Sequence, residues 1–99
     1  MVVAGGLTDG LSSSASAQFA VLRQRYVAGL GSRWTEISTA GDSQILLAAL
    51  HRLAGSAASF GFERLGQRAR DAEARVAQGN AAALAAALDE LQTEIVRIV

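Results

Sequence analysis

The chain of 99 residues has no cysteine, no proline and no lysine, and it contains a single histidine. Without cysteine there is neither a disulfide framework nor a thiolate metal site, and one histidine is too few for an ordinary zinc centre. No apolar run approaches the roughly 20 residues of a spanning helix. The start, MVVAGGLTDG, lacks the basic residues and apolar core of a signal peptide, so the expectation is a cytoplasmic protein with no membrane association. Charge of either sign is not in excess: nine acids face nine arginines, which argues against the basic face that nucleic acid would require. The length fits one domain over residues 1–99, with residues 1–11 expected to form a flexible N-terminal segment. A separate nucleotide-binding domain has no room here, so any ATP chemistry is expected elsewhere.

What the chain has is alanine, leucine and helical periodicity. Phe19, Leu22, Tyr26, Leu30 and Ile37 recur at helical spacing after a serine run that offers several N-caps, with Gly29 and Gly31 as points of weakness. Gly41 reads as a C-cap and Asp42 as the next N-cap. A second stripe follows at Leu46, Leu50, Leu53, Ala57 and Phe60, ended by Gly61. The third stripe is Phe62, Leu65, Ala69, Ala72 and Val76, closed by Gly79. The fourth opens at Asn80 and runs through Leu84, Leu88, Leu91, Ile95 and Ile98. Each stripe must be buried against its neighbours, and the connections are short, so the predicted architecture is all-α: an antiparallel four-helix bundle with the histidine on the second helix.

His51 is not part of that buried seam. At about 100° per residue it stands roughly 140° from the centre of its helix's stripe. Its own face is built from Gln44, Leu47, Ala48, Ala54, Gly55 and Ala58, so the ring is expected to stand above a nearly flat surface that another backbone can approach. Glu73 lies about 60° from the centre of the third stripe, where a carboxylate needs a partner. His51 is ten residues before Gly61 and Glu73 twelve after it, which puts them at similar heights on the two arms of a hairpin. A carboxylate accepting a hydrogen bond from Nδ1–H fixes the imidazole tautomer and leaves the Nε2 lone pair outward as a nucleophile. The competing partner for Glu73 is Arg70, three residues earlier on the same helix. Ser56 and Ser59 read as small polar residues at a helix crossing. Gly55 fits equally a close helix contact or a partner's approach.

The segment HRLAGSAASFGFERLGQRARDAE, from His51 to Glu73, resembles the signature of histidine-containing phosphotransfer (HPt) domains. His51, Leu53, Gly55, Ser56, Ala57, Gly61, Leu65 and Glu73 match a pattern of H-x-L-K-G-S-A, an interhelical glycine, and a helix bearing Glu or Gln near its middle. The resemblance implies a phosphorelay intermediate in which His51 is the phosphoacceptor and Glu73 orients the imidazole. It implies response-regulator receiver domains and a hybrid histidine kinase as partners. The docking surface would comprise Leu47, Ala48, Arg52, Ala54, Gly55, Ala58 and Arg70. No cofactor is implied for the domain itself, since the Mg²⁺ of the reaction sits on the receiver, and a monomer is expected. One position departs: many members have lysine three residues after the histidine, and here it is Ala54. A basic helper would then come from Arg52, Arg70 or the partner.

Two other classes of function fit the same residues. A phosphorylation-independent helical adaptor would use the docking face for binding alone. A structural bundle would self-associate through the alanine-rich last helix.

Overall fold

Apolar residues at four-three spacing from Leu46 to Phe60 generate α3, Ser43–Ser59, and the next two stripes generate α4, Glu63–Gln78, and α5, Ala81–Ile98. Two earlier segments, α1 (Val2–Ala28) and α2 (Leu30–Ser38), together fill the place of the first predicted helix. The computed structural model describes the backbone of residues 2–99 and the side chains of residues 15–99. The segment 1–11, expected to be flexible, lies outside the residues whose side chains are described. Instead of starting in the serine run, α1 continues through it from Val2.

Gly29 is the one residue between α1 and α2. Its N–H donates to both Arg25 O and Tyr26 O at 3.1 Å, and its carbonyl accepts from Arg33 N–H at 3.2 Å, so helical hydrogen bonding carries across the break. α3 packs on α4, α4 on α5, and α2 closes the bundle against α3 and α5. Leu30, Leu50, Leu53, Leu65 and Leu91 are fully buried at the centre, with Ala57, Ala69 and Ala72 between them. Burying a leucine side chain of this kind contributes about 1.5–3 kcal/mol, which is why the stripes and not the weak local propensities set the fold.

The turn between α3 and α4 fixes their register. Gly61 takes φ +80°, its N–H donates to Ala58 O at 3.1 Å, and the N–H of Phe62 donates to Ala57 O at 2.9 Å, the double bond of a Schellman motif. Phe60 and Phe62, on either side of it, clamp the turn to α1: Tyr26 stacks on Phe60 with centroids 4.6 Å apart and on Phe62 at 5.9 Å. Arg23 covers the Phe62 ring at 4.2 Å and donates to Phe60 O at 3.3 Å. The other connection follows expectation, with Gly79 left-handed at φ +70° and the Asn80 side chain accepting from Ala83 N–H at 3.0 Å. Asp42 likewise caps α3 by accepting from Ile45 N–H at 2.8 Å.

Two expectations are corrected, and one acid joins the core. Gly41 does not cap α2: the helix ends at Ser38, Thr39 is the capping residue, and the Thr39 hydroxyl donates to Thr35 O at 2.6 Å. Phe19 and Leu22 share the periodicity of Tyr26 and Leu30 but are about half exposed, because α1 extends past the elements that bury its last turn. Glu94 is buried despite its charge, held between Arg64 at 3.5 Å and Arg97 at 4.0 Å.

The two kinds of glycine are separable by mutation. Gly61→Ala places a Cβ in a left-handed conformation and is expected to lower the unfolding free energy by about 1–2 kcal/mol. Gly31→Ala, in a helix with no atom within 4 Å of the new Cβ, should raise it by about 0.5–1 kcal/mol. Urea melts of the two variants test the assignment; equal effects would contradict it.

Candidate functional site

His51 sits in the middle of α3 and Glu73 two-thirds of the way along α4. Nδ1 of His51 lies 3.2 Å from Oε2 of Glu73. The height match expected from counting outward from Gly61 is therefore realised as a direct contact. The two partners differ in exposure: the imidazole side chain is 81% exposed, the carboxylate side chain 22%. The acid belongs to the bundle wall and the ring stands out from it. With a proton on Nδ1 donated to Glu73, Nε2 is the unprotonated nitrogen, and its lone pair is the group offered to a reagent arriving from solvent. Glu73 pairs with His51 and not with Arg70, the alternative on its own helix.

Around the ring the surface is a shallow open depression lined by His51, Ala54, Gly55, Ala58, Arg70 and Glu73. Gly55 and Ala58 are exposed, but Ala54 is only 5% exposed, because α4 leans over it at Gly66. A Cβ on Gly66 would stand 3.4 Å from Ala54 O and 3.8 Å from Ala57 Cβ, so the close approach of α3 and α4 occurs at this glycine. Gly55 has no such duty. A Cβ there would meet nothing within 4 Å, so packing inside the chain does not account for its missing side chain.

The remaining residues proposed from sequence are distributed around this depression. Leu47 and Ala48 are exposed one turn toward the start of α3 and extend the same face. Arg52 points instead to α2, where Nη2 lies 3.5 Å from Oε2 of Glu36. Arg70 lines the depression, its Nη2 donating to Gln67 Oε1 at 3.2 Å. Ser56 takes the structural place read for it, with its hydroxyl 2.8 Å from Tyr26 Oη and donating to Leu53 O at 3.1 Å. Ser59 donates to Gly55 O at 3.2 Å within the helix.

Sequence reasoning missed two features. One is the crossing at Gly66, for which the signal was a second small residue facing Ala54 and Ala57. The other is the buried Glu94, which with Ala87, Leu91 and Ile98 repeats the four-three rhythm of the stripe beside it. Among the described residues no three His, Cys, Asp or Glu side chains gather as a metal site would need, and no helix is long and apolar enough to cross a membrane.

No curated protein and no solved structure matches the chain. A family model does: the one described as the Hpt domain aligns with residues 10–99, which takes in all of α2 to α5 and most of α1. Domains of this family carry out histidine phosphotransfer in phosphorelays and interact with receiver domains. With nearly the whole of its length matched by that family model, this chain belongs to the Hpt domain family.

Proposed function

We propose that the protein is a phosphorelay intermediate that receives a phosphoryl group on Nε2 of His51 from an aspartyl phosphate of one receiver domain and returns it to an aspartate of another. The observation that carries this reading is the 3.2 Å contact of Nδ1 with Glu73 beneath a ring that is 81% exposed. As Nε2 attacks phosphorus, the imidazole becomes cationic, and the carboxylate already bonded to Nδ1–H stabilises it where the charge develops. The domain has no need of ATP, and the reading assigns Mg²⁺ to the receiver. Donor and acceptor are a hybrid histidine kinase and a response regulator, and the domain works as a cytoplasmic monomer.

Docking uses the face around the histidine. Leu47, Ala48, Gly55 and Ala58 form a low platform on α3, and Ala54 its floor at the helix crossing. Arg52 and Arg70 stand at opposite margins. Gly55 leaves helix stability unclaimed by roughly 0.5–1 kcal/mol relative to alanine. A partner's backbone passing close to that position explains why a side chain is absent.

His51→Gln is expected to abolish phosphoryl acceptance while leaving receiver binding within about twofold, since the docking surface keeps its shape. Following label from a phosphorylated receiver, alongside a binding titration, tests this; binding with no transfer to the wild type would establish an adaptor instead. Glu73→Ala should slow transfer about tenfold, the loss of one charge-assisted hydrogen bond of about 1.4 kcal/mol. An unchanged rate would remove Glu73 from the mechanism. Gly55→Leu should fold with at least wild-type stability and lose receiver affinity by tenfold or more, on the order of one crowded contact at a packed interface. Equal affinity would move the docking surface elsewhere.

A further inference from the structure

We propose that Arg70 is the cation that stabilises the phosphoryl group on His51, supplying from α4 the charge that a lysine at position 54 would otherwise bring. This rests on the phosphotransfer reading and adds to it a residue in direct contact with the transferred group.

Three observations support the assignment. First, Arg70 lines the same depression as His51 and Glu73. Second, its guanidinium lies over the helix crossing: Nη1 is 3.4 Å from the point where a Cβ on Gly66 would stand, and Ala54 O is 3.4 Å from that same point. Nη1 and the backbone of residue 54 are thus no more than twice that distance apart, and the cation sits beside the position that lacks the lysine. Third, among the described residues its charge is not paired with a carboxylate. Arg52, Arg64, Arg68 and Arg97 each have an acidic partner within 4.0 Å, whereas Arg70 is held by the neutral amide oxygen of Gln67 at 3.2 Å; Arg75 is held the same way by Gln78 but lies outside the depression, so Arg70 alone joins an unpaired charge to the histidine's surface. The acid three residues along, Glu73, is engaged by His51. Gln67 is accordingly a positioning residue that keeps the guanidinium against the crossing without neutralising it.

The chemistry needs such a group. The N–P bond forms from the Nε2 lone pair as the P–O bond to the receiver's aspartyl carboxyl breaks, and the bonding electrons leave with the aspartate carboxylate. The proton on Nδ1 stays in its hydrogen bond to Glu73, and the phosphoryl group carries two negative charges before and after transfer. A guanidinium offers two parallel N–H donors to two of its oxygens. While the site is open to water the interaction is screened; when a receiver covers the depression and excludes solvent, it strengthens at the moment of transfer.

The test uses the intact protein with receiver domains phosphorylated by labelled acetyl phosphate, measuring transfer at saturating receiver together with receiver Kd. Arg70→Gln is expected to reduce the saturating rate about tenfold with Kd within about twofold, and Arg70→Lys to recover part of the rate, since an ammonium keeps the charge but not the paired donors. Adding Ala54→Lys to Arg70→Gln should also restore it, a rescue that a merely structural role for Arg70 does not predict. Arg75→Gln, the same charge change on the same helix but outside the depression, should leave the rate unaltered. A saturating rate for Arg70→Gln within twofold of wild type overturns the proposal and leaves phosphotransfer by His51 standing. So does an effect confined to Kd, which makes Arg70 a docking residue. Absence of label on the wild type overturns the phosphotransfer reading and this inference with it.

Discussion

A hydrogen bond between an imidazole on one helix and a carboxylate on another tolerates little error in register, because a shift of one residue moves either group by about 1.5 Å along the axis and about 100° around it. The His51–Glu73 contact therefore depends on whatever holds α3 against α4. Two features do so. The Schellman turn at Gly61 sets where α4 begins relative to the end of α3. The crossing at Gly66, Ala54 and Ala57 sets how close the two helices run. Leu53 and Leu65, both fully buried, add to the core beside these points. The aromatic clamp of Tyr26, Phe60 and Phe62 then ties the turn to α1, so the rest of the bundle serves as a brace for one hairpin.

The stripes of α3, α4 and α5 were legible in the sequence because burial imposes a period that polar residues rarely imitate: Leu50, Leu53, Leu65, Ala69, Leu91 and Ile95 are all in the core. The pairing of His51 with Glu73 was legible for a related reason, since a tight turn converts counting into height. What periodicity does not encode is where the bundle stops. Phe19 and Leu22 keep the rhythm of α1 beyond its last neighbour, and only the tertiary arrangement shows that nothing covers them fully. Ala54 lies on the helix face that carries the histidine yet is buried, because an adjacent helix without a Cβ at Gly66 can lean across it. Glu94 escaped for a complementary reason: residue type argued for solvent, while position argued for the seam, and two arginines settle the matter in favour of position.

The histidine's surroundings combine a partly buried acid, an exposed ring and a floor almost free of side chains. This is unlike an enzyme pocket, which encloses its substrate and excludes water by itself. On the proposed reading the wall that is missing comes from the partner. On that reading the chain contributes the nucleophile, held by Glu73, and a low platform, and the receiver contributes the remaining walls and its metal ion. Such a division would let a domain this small take part in phosphoryl chemistry, where catalysis consists largely of positioning and charge stabilisation.

The openness of the depression has a kinetic consequence. A single imidazole on one face admits one visitor, and on the proposed reading donor and acceptor receivers both need that face. They cannot form a ternary complex with the domain, so the donor must depart before the acceptor lands, and each competes with the other for the same platform. Traffic through the relay is then governed by residence times: a receiver that lingers after delivering its phosphoryl group blocks the next one, and the flow is fastest when neither partner holds on for long.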